Sequence, residues 1–426
     1  MSKAKKTVAL PTADKFAALV VSDIHAIDTD PTSSSAASYV SARQIAADTI
    51  KDPLGELRNT INSGVPKPDC IICPGDLADK SNPSALSYVW NELSAIAKSL
   101  GDVPLIATPG NHDLDSRFKI SDYDARGQIM AVRPRVPWDD HRNYLEFWAE
   151  HFSIRRVGPA RIVALNSAAY HGYGKSEKSE YEHGRVTQRT VQNIEQRLKE
   201  GASDCGFNIL VCHHHLVRNN EISEVDYSQM VGGDELLAMI GCGSYGTWLV
   251  IHGHKHRPRL FYAGGGGSAP VILGAASFSF NVNQDATNKS PNQFHLVTLD
   301  SRKAEAIGQG IAGEVRSWDW DYGRGWRRAQ QNRGLPTRAG FGHRGDAASV
   351  ALAIDKLLRE KNLSSINWPE LVSYIPTVDC LLPQDAELLR QTLKSRFGLN
   401  IIDPEGVPLQ VGREFSGVAN AYKTSA

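Results

Sequence analysis

The chain has 426 residues, of which 41% are hydrophobic and 22% charged, with 47 basic side chains against 47 acidic ones. That length accommodates one large domain plus a smaller appendage, and the charge balance excludes an overall field that would draw the chain to nucleic acid or to a membrane. The sequence has no apolar run of about 18 residues to span a bilayer, and its basic start, Met1 to Val8, lacks the apolar core of a signal peptide, so a cytoplasmic protein is expected.

Taken in chain order, the first apolar run, Phe16 to Val21, reads as a buried strand that ends at Ser22-Asp23-Ile24-His25. Helical spacing follows over residues 54–61, and a second strand, Cys70-Ile71-Ile72-Cys73, ends at Pro74-Gly75-Asp76. This C-x-x-C lies inside the strand and no second pair follows, so it reads as buried packing rather than a redox or zinc site. The six scattered cysteines form no dense framework and suit a reducing compartment. A helix is expected over residues 84–100, stopped by Gly101, and a third strand from Leu105 ends at Pro109-Gly110-Asn111-His112-Asp113. Such alternation predicts a layered α/β domain with parallel strands. Residues 114–150 read as an irregular insertion.

Beyond the insertion, Arg161 to Leu165 reads as a strand and Thr187 to Leu198 as an amphipathic helix. Two further strands end in histidine-rich text: Asn208 to Cys212 before His213-His214-His215, and Trp248 to His252 before Gly253-His254-Lys255-His256. Val271 to Leu273 and Phe294 to Leu299 close the sheets. The glycine run at Gly264 lacks a following Gly-Lys-Ser/Thr and reads as a connection, not a phosphate loop. Residues 316–344, rich in Arg, Trp and Gly, read as a connecting segment. After it, Asp346 caps a helix with Val350, Ile354, Leu357 and Leu358 on one face, residues 384–397 repeat the pattern up to Gly398, and residues 401–409 form a turn between two short strands.

Five polar clusters thus each follow an apolar strand: Asp23-x-His25, Gly75-Asp76, Gly110-Asn111-His112-Asp113, His213 and Gly253-His254-x-His256. In an open α/β sheet the crevice at the carboxyl ends of strands is where ligands collect. Carboxylate, imidazole and amide oxygens together suit first-row metals such as Mn, Fe and Zn. Any one cluster could be an ordinary turn, but five in succession make a metal centre the economical reading.

These motifs, in this order, resemble the calcineurin-like metallophosphoesterase superfamily over roughly residues 16–300. The resemblance implies a four-layer αββα sandwich of two mixed β-sheets and a dinuclear centre. It assigns Asp23, His25 and His256 to one divalent or mixed-valence transition-metal ion, Asn111, His213 and His254 to the other, and Asp76 as the bridge. The family's ligand most often stands directly after the strand, which selects His213; His214 is left as a phosphate contact. His112 is implied as the group at the phosphate or leaving oxygen, with Asp113 orienting it. Two such ions clamp the attacking and leaving oxygens and lower the pKa of water, so that hydroxide attacks phosphorus near neutral pH.

Gly75-Asp-Leu-Ala-Asp79 with Pro109-Gly-Asn-His-Asp113 departs from the protein phosphatases' Gly-Asp-x-Val-Asp-Arg-Gly and Arg-Gly-Asn-His-Glu. It looks like bacterial class III cyclic-nucleotide and glycerophosphodiester phosphodiesterases, which implies a small phosphodiester or nucleotide as substrate. Two other readings stay open. The charge and stacking surfaces of residues 316–344 suit a single-strand nuclease, and a scaffold that keeps the fold without the chemistry is the rival from another class. The expected organisation is a tail (1–15), a catalytic domain (16–315), the connector (316–344) and a small α+β accessory domain (345–426) suited to docking a protein partner or a second subunit.

Overall fold

The computed structural model describes residues 14–43, 49–173, 183–201, 205–218, 228–281, 290–330 and 333–413. Most of the tail read over residues 1–15 lies outside this set, as do residues 414–426 of the accessory domain.

The first half of the molecule alternates as its apolar runs predict. Strands β1 (Lys15–Val20), β2 (Cys70–Cys73) and β3 (Leu105–Ala107) are separated by helices α1 (Pro53–Asn62) and α2 (Pro83–Ser99). Both helices start where a cap and a proline agree: Asp52 accepts from Leu54 N and Asn82 from Ala85 N, with Pro53 and Pro83 in the first turn. Every residue of β2 is buried, which is why it reads as a continuous apolar run rather than an alternating one. Cys70 and Cys73 are free thiols there, and burial pushes both pKa values up.

The expected irregular insertion is partly helical: α3 (Gly127–Ala131) and α4 (His141–Glu150) form within it. Asp140 caps α4 through Asn143 N, a signal as strong as that of α1. The chain continues through β4 (Phe152–Val157), β5 (Ala160–Leu165), α5 (Gln188–Glu200), β6 (Phe207–Val211), α6 (Gly233–Gly241), β7 (Trp248–His252), β8 (Arg259–Tyr262) and β9 (Val271–Gly274). These strands make a six-stranded sheet in the order β4-β5-β6-β7-β9-β8, parallel in the middle and antiparallel at both edges.

β10 (Asn292–Asp300) returns to pair antiparallel with β1 and is followed by α7 (Ser301–Ala306). Residues 316–344 correct the expectation of a connector. They form most of β11 (Gly313–Asp321) together with β12 (Gly325–Arg328) and β13 (Arg338–Phe341), completing a seven-stranded sheet β12-β11-β10-β1-β2-β3 in which β13 also pairs β11. The glycines suggested a linker, but Trp320 and Trp326 are buried and pack with Phe278 and Phe294. One apolar cluster runs between the inner faces of the two sheets and under α1 and α2, giving the expected αββα layering.

The C-terminal region has its own core. It comprises α8 (Ala347–Glu360), β14 (Ser365–Asn367), α9 (Trp368–Tyr374), α10 (Pro383–Thr392), β15 (Leu399–Ile402) and β16 (Gln410–Arg413), with the strands in the order β14-β16-β15. Asp346 caps α8 through two backbone N–H groups, as read, and Gly398 takes φ 64° at the end of the helical turn that follows α10.

Candidate active site

All five polar clusters stand at the carboxyl ends of strands: three after β1, β2 and β3, and two after β6 and β7 of the other sheet. Backbone hydrogen bonds tie neighbouring loops together. Asp23 N donates to Gly75 O at 3.1 Å, His25 N to Asp76 O at 2.9 Å, and Gly253 N to His213 O at 3.0 Å. Side chains join the two sheets, for Asp23 Oδ1 accepts from His254 N at 2.9 Å.

The chain leaves these strands abruptly. Asp23, His25, Asp76, His254 and His256 all have φ between 50° and 79°, in the left-handed region that costs an L-residue about 1–2 kcal/mol. Such strain clusters where surrounding contacts over-determine a functional geometry. Glycines make the close approach feasible. A Cβ on Gly110 would collide with Asp76 Oδ1, and one on Gly253 with Asp23 Oδ2.

The structure brings the seven residues expected as ligands into one cluster. His25 Nε2 lies 3.0 Å from His256 Nε2, and His256 Nε2 lies 3.5 Å from Asp23 Oδ1. Asn111 Oδ1 lies 3.1 Å from both His213 Nε2 and His254 Nδ1. Asp76 stands between these groups, with Oδ2 at 3.3 Å from His213 Nε2 and 3.6 Å from His25 Nε2, while Oδ1 accepts from His112 N at 2.8 Å. Two imidazole nitrogens pointed at each other are poor mutual partners. Ligands at about 2.0–2.2 Å from a common ion, however, sit about 3.0–3.6 Å apart, the spacing found here. His254 Nε2 is buried with no hydrogen-bond partner among the described residues.

Burial works against charge on the imidazoles, and at His25, His254 and His214 it wins. His25 is pushed down to about 3, and His254 and His214 fall well below the usual range. At His213 burial acts in the same direction, but the Asp76 carboxylate overcomes it and holds the ring up to about 9. Asp76 is itself held well below the carboxylate range, against its burial, by His213, His112 and His25. Neutral imidazole and ionised carboxylate are the forms that ligate metals.

His213 and His214 separate as strand alternation suggests. His213 Nδ1 donates to Pro74 O at 2.9 Å, leaving Nε2 toward Asp76 and Asn111. His214 Nδ1 lies 2.9 Å from Ser167 Oγ, which also accepts from the backbone N of His213 and His214, and its Nε2 has no partner among the described residues.

The expected pairing of His112 with Asp113 is corrected. Asp113 turns back into the loops and accepts from Leu77 N, Ala78 N and Gly110 N at 2.7, 3.2 and 2.8 Å. The carboxylate on the His112 ring is Asp79, 3.0 Å from Nδ1. Burial depresses the ring's basicity, but Asp76 and Asp79 reverse this and raise it. The sequence signal for Asp79 was the second carboxylate of Gly75-Asp-Leu-Ala-Asp79. Ser167 and Phe280, whose ring lies 4.9 Å from that of His256, carried no signal at all.

A family model described as calcineurin-like phosphoesterase matches residues 16–258, more than half the chain. The chain belongs to the calcineurin-like phosphoesterase family. This phosphoesterase is therefore a hydrolase of ester bonds, from a family that works with two metal ions. A second model, wHTH-Calcineurin_assc, matches residues 339–395 of the phosphoesterase. Among curated proteins, it is 27% identical over 237 residues to the probable glycerophosphodiester phosphodiesterase GpdQ of Arcobacter nitrofigilis, covering 55% of this chain and 72% of that protein. It is 34% identical over 98 residues to a cAMP/cGMP dual specificity phosphodiesterase of Mycobacterium tuberculosis, covering 23% of this chain and only 27% of that protein. A dimetal phosphatase from Danio rerio aligns over 71% of this chain and 95% of its own, with 12% identity and a TM-score of 0.43. No helix of the phosphoesterase is long and apolar enough to cross a membrane, among the described residues.

Proposed function

We propose that the chain is a dinuclear metal-dependent phosphodiesterase acting on a small or nucleotide-type phosphodiester. The observation that carries this reading is the placement of Asp76 between two groups of metal-type donors. Asp23, His25 and His256 would hold one ion, Asn111, His213 and His254 the other, and Asp76 both. The mixed oxygen and nitrogen donors suit first-row metals such as Mn, Fe or Zn. Such a pair, when bound, polarises the phosphoryl oxygens and makes water acidic enough to attack phosphorus.

The chain's own residues do the rest. Asp76 fixes the His112 backbone through Oδ1, so its position and that of the histidine are set together. Asp79 holds the ring by Nδ1, which presents Nε2 as the proton donor to the departing alkoxide. Asp113 braces three backbone N–H groups of the two loops rather than the ring. The diesterase names of both curated relatives support a diester over a phosphoprotein substrate.

The nuclease alternative loses its main support. Trp320 and Trp326 are core residues, and Arg316, Arg327 and Arg338 are paired with Glu314, Asp321 and Asp379. We also place the end of the catalytic unit at Phe341 rather than residue 315, because β11 to β13 belong to its sheet. Elemental analysis together with hydrolysis of bis(4-nitrophenyl) phosphate tests the proposal. About two metal ions per chain and chelator-sensitive turnover are expected, whereas a folded, metal-free chain that still hydrolyses the diester would overturn it.

A further inference from the structure

A pocket of about 70 Å³ opens beside Asn111 and His112, and Lys80, Arg117 and Lys119 line it together with Asp115. It has room for a carboxylate or a phosphate. The three cationic side chains are brought there by built loops. Lys80 has φ 51°, and the next residue, Ser81, donates its N–H to His112 O at 2.6 Å. Lys80 Nζ also lies 3.1 Å from Asp79, the carboxylate that holds His112.

Arg117 and Lys119 sit on a turn organised by Asp115. That carboxylate is 5% exposed and accepts backbone N–H groups from Lys119, Ile120 and Ser121 at 2.8, 2.7 and 2.9 Å. Its negative charge is spent on the turn, so three cationic residues line the pocket against two carboxylates, Asp115 on the turn and Asp79 beside Lys80.

We propose that this pocket receives an anionic group on the leaving side of the substrate. The preferred substrate is then a phosphodiester whose departing alcohol carries its own phosphate or carboxylate. The inference rests on the reading of His112 as proton donor to the leaving oxygen. In the reaction the water oxygen bonds to phosphorus, the P–O bond to the alcohol breaks, and the departing oxygen takes its proton from His112. A group attached to that alcohol lies on the His112 side, where Lys80, Arg117 and Lys119 line the pocket.

Two isosteric diesters test it: methyl 4-carboxyphenyl phosphate and methyl 4-carbamoylphenyl phosphate, which differ by one charge on the leaving phenol. The amide is intrinsically the better leaving group, so a preference for the carboxylate cannot come from reactivity. The expected ratio of kcat/KM is about tenfold or more in favour of the carboxylate, what one charge-assisted hydrogen bond supplies. It should shrink as salt rises from about 0.05 to about 0.5 M. The double variant Arg117→Gln/Lys119→Gln should bring the ratio below about twofold, and Lys119→Gln alone should lower it part of the way, which keeps the test open if the double variant misfolds. A wild-type ratio near one, or a ratio that the variants leave intact, overturns the proposal while leaving the phosphodiesterase reading standing. Hydrolysis of neither ester by the metal-loaded chain overturns that reading, and the pocket's role with it.

Discussion

Two buried clusters of charge in this protein are built on opposite principles. Where the C-terminal region meets the catalytic sheets, the Arg338 guanidinium grips Asp379 with two hydrogen bonds of 2.8 and 2.6 Å and donates to Glu314 at 2.9 Å. Lys303 and the Trp368 indole complete the shell of Asp379 at 2.9 and 2.7 Å. With Arg316, which donates to Glu314 at 2.8 Å, three cations face two anions, and every group has a partner of opposite sign. At the strand ends the groups crowd without closing: ring nitrogens face each other, and Asp23 and Asp76 are surrounded by histidines with no Lys or Arg side chain paired to either among the described residues. A closed cluster holds two pieces of protein together. An open one, set on strained backbone, is completed only by something brought from outside.

The comparison breaks most visibly at Asp76. Asp76→Ala should lose both ions and reduce diester hydrolysis to background, a larger loss than removing any single terminal ligand; elemental analysis showing two undiminished ions per chain would sink the assignment. His112→Ala should keep both ions but lose roughly 10²–10⁴-fold in turnover. The deficit should be greatest for alkoxide leaving groups and smaller for nitrophenolate, and a loss confined to KM would leave His112 as a phosphate contact only. Asp79→Asn should cost about 10–100-fold, the usual range for a residue that orients another, and no loss at all would free His112 from its supposed partner.

The closed cluster should fail differently. Asp379→Ala leaves Arg338, Lys303 and Arg316 to share Glu314 alone and should destabilise the fold by about 3 kcal/mol in urea unfolding, with metal content retained. The neighbouring cations depress the Asp379 pKa in the folded state, more than offsetting its burial. Its contribution is therefore complete above the unfolded value of about 4 and fades as pH falls below it. Accordingly, the gap between wild type and variant should be constant from about pH 5 to 7 and narrow in acid; a gap that widens would contradict the assignment. Arg328→Ala, which removes an exposed pair with Glu405, should change stability by less than about 1 kcal/mol.

How legible this was depends on the length of chain over which a signal is written. β1, β2, β6 and β7 are short apolar runs ending in polar residues, and their ends carried the ligand candidates with them. Helix α1 announced itself by its spacing, α2 by the glycine that stops it and α8 by its cap residue. β11 to β13 were illegible as strands because their glycines and arginines look like a linker, and only tertiary packing shows Trp320 and Trp326 to be core. β14 and α9 are too short for a periodicity to emerge. The pairing of His112 with Asp79 rather than Asp113 turns on where a loop reverses direction, since Asp113 is consumed by backbone N–H groups that exist only once two strand-end loops meet. Adjacency in sequence pointed to the wrong carboxylate.

The left-handed backbone at Asp23, His25, Asp76, His254 and His256 also bears on the chain's evolutionary prospects. Each position spends folding stability on the geometry of the site, and glycine would relax the backbone at no steric cost. A descendant released from selection for turnover would thus become sturdier as it lost its donors one by one. Inactive relatives of such an enzyme would lie downhill, and loss of strained donors in a sister sequence would be the first trace of that descent.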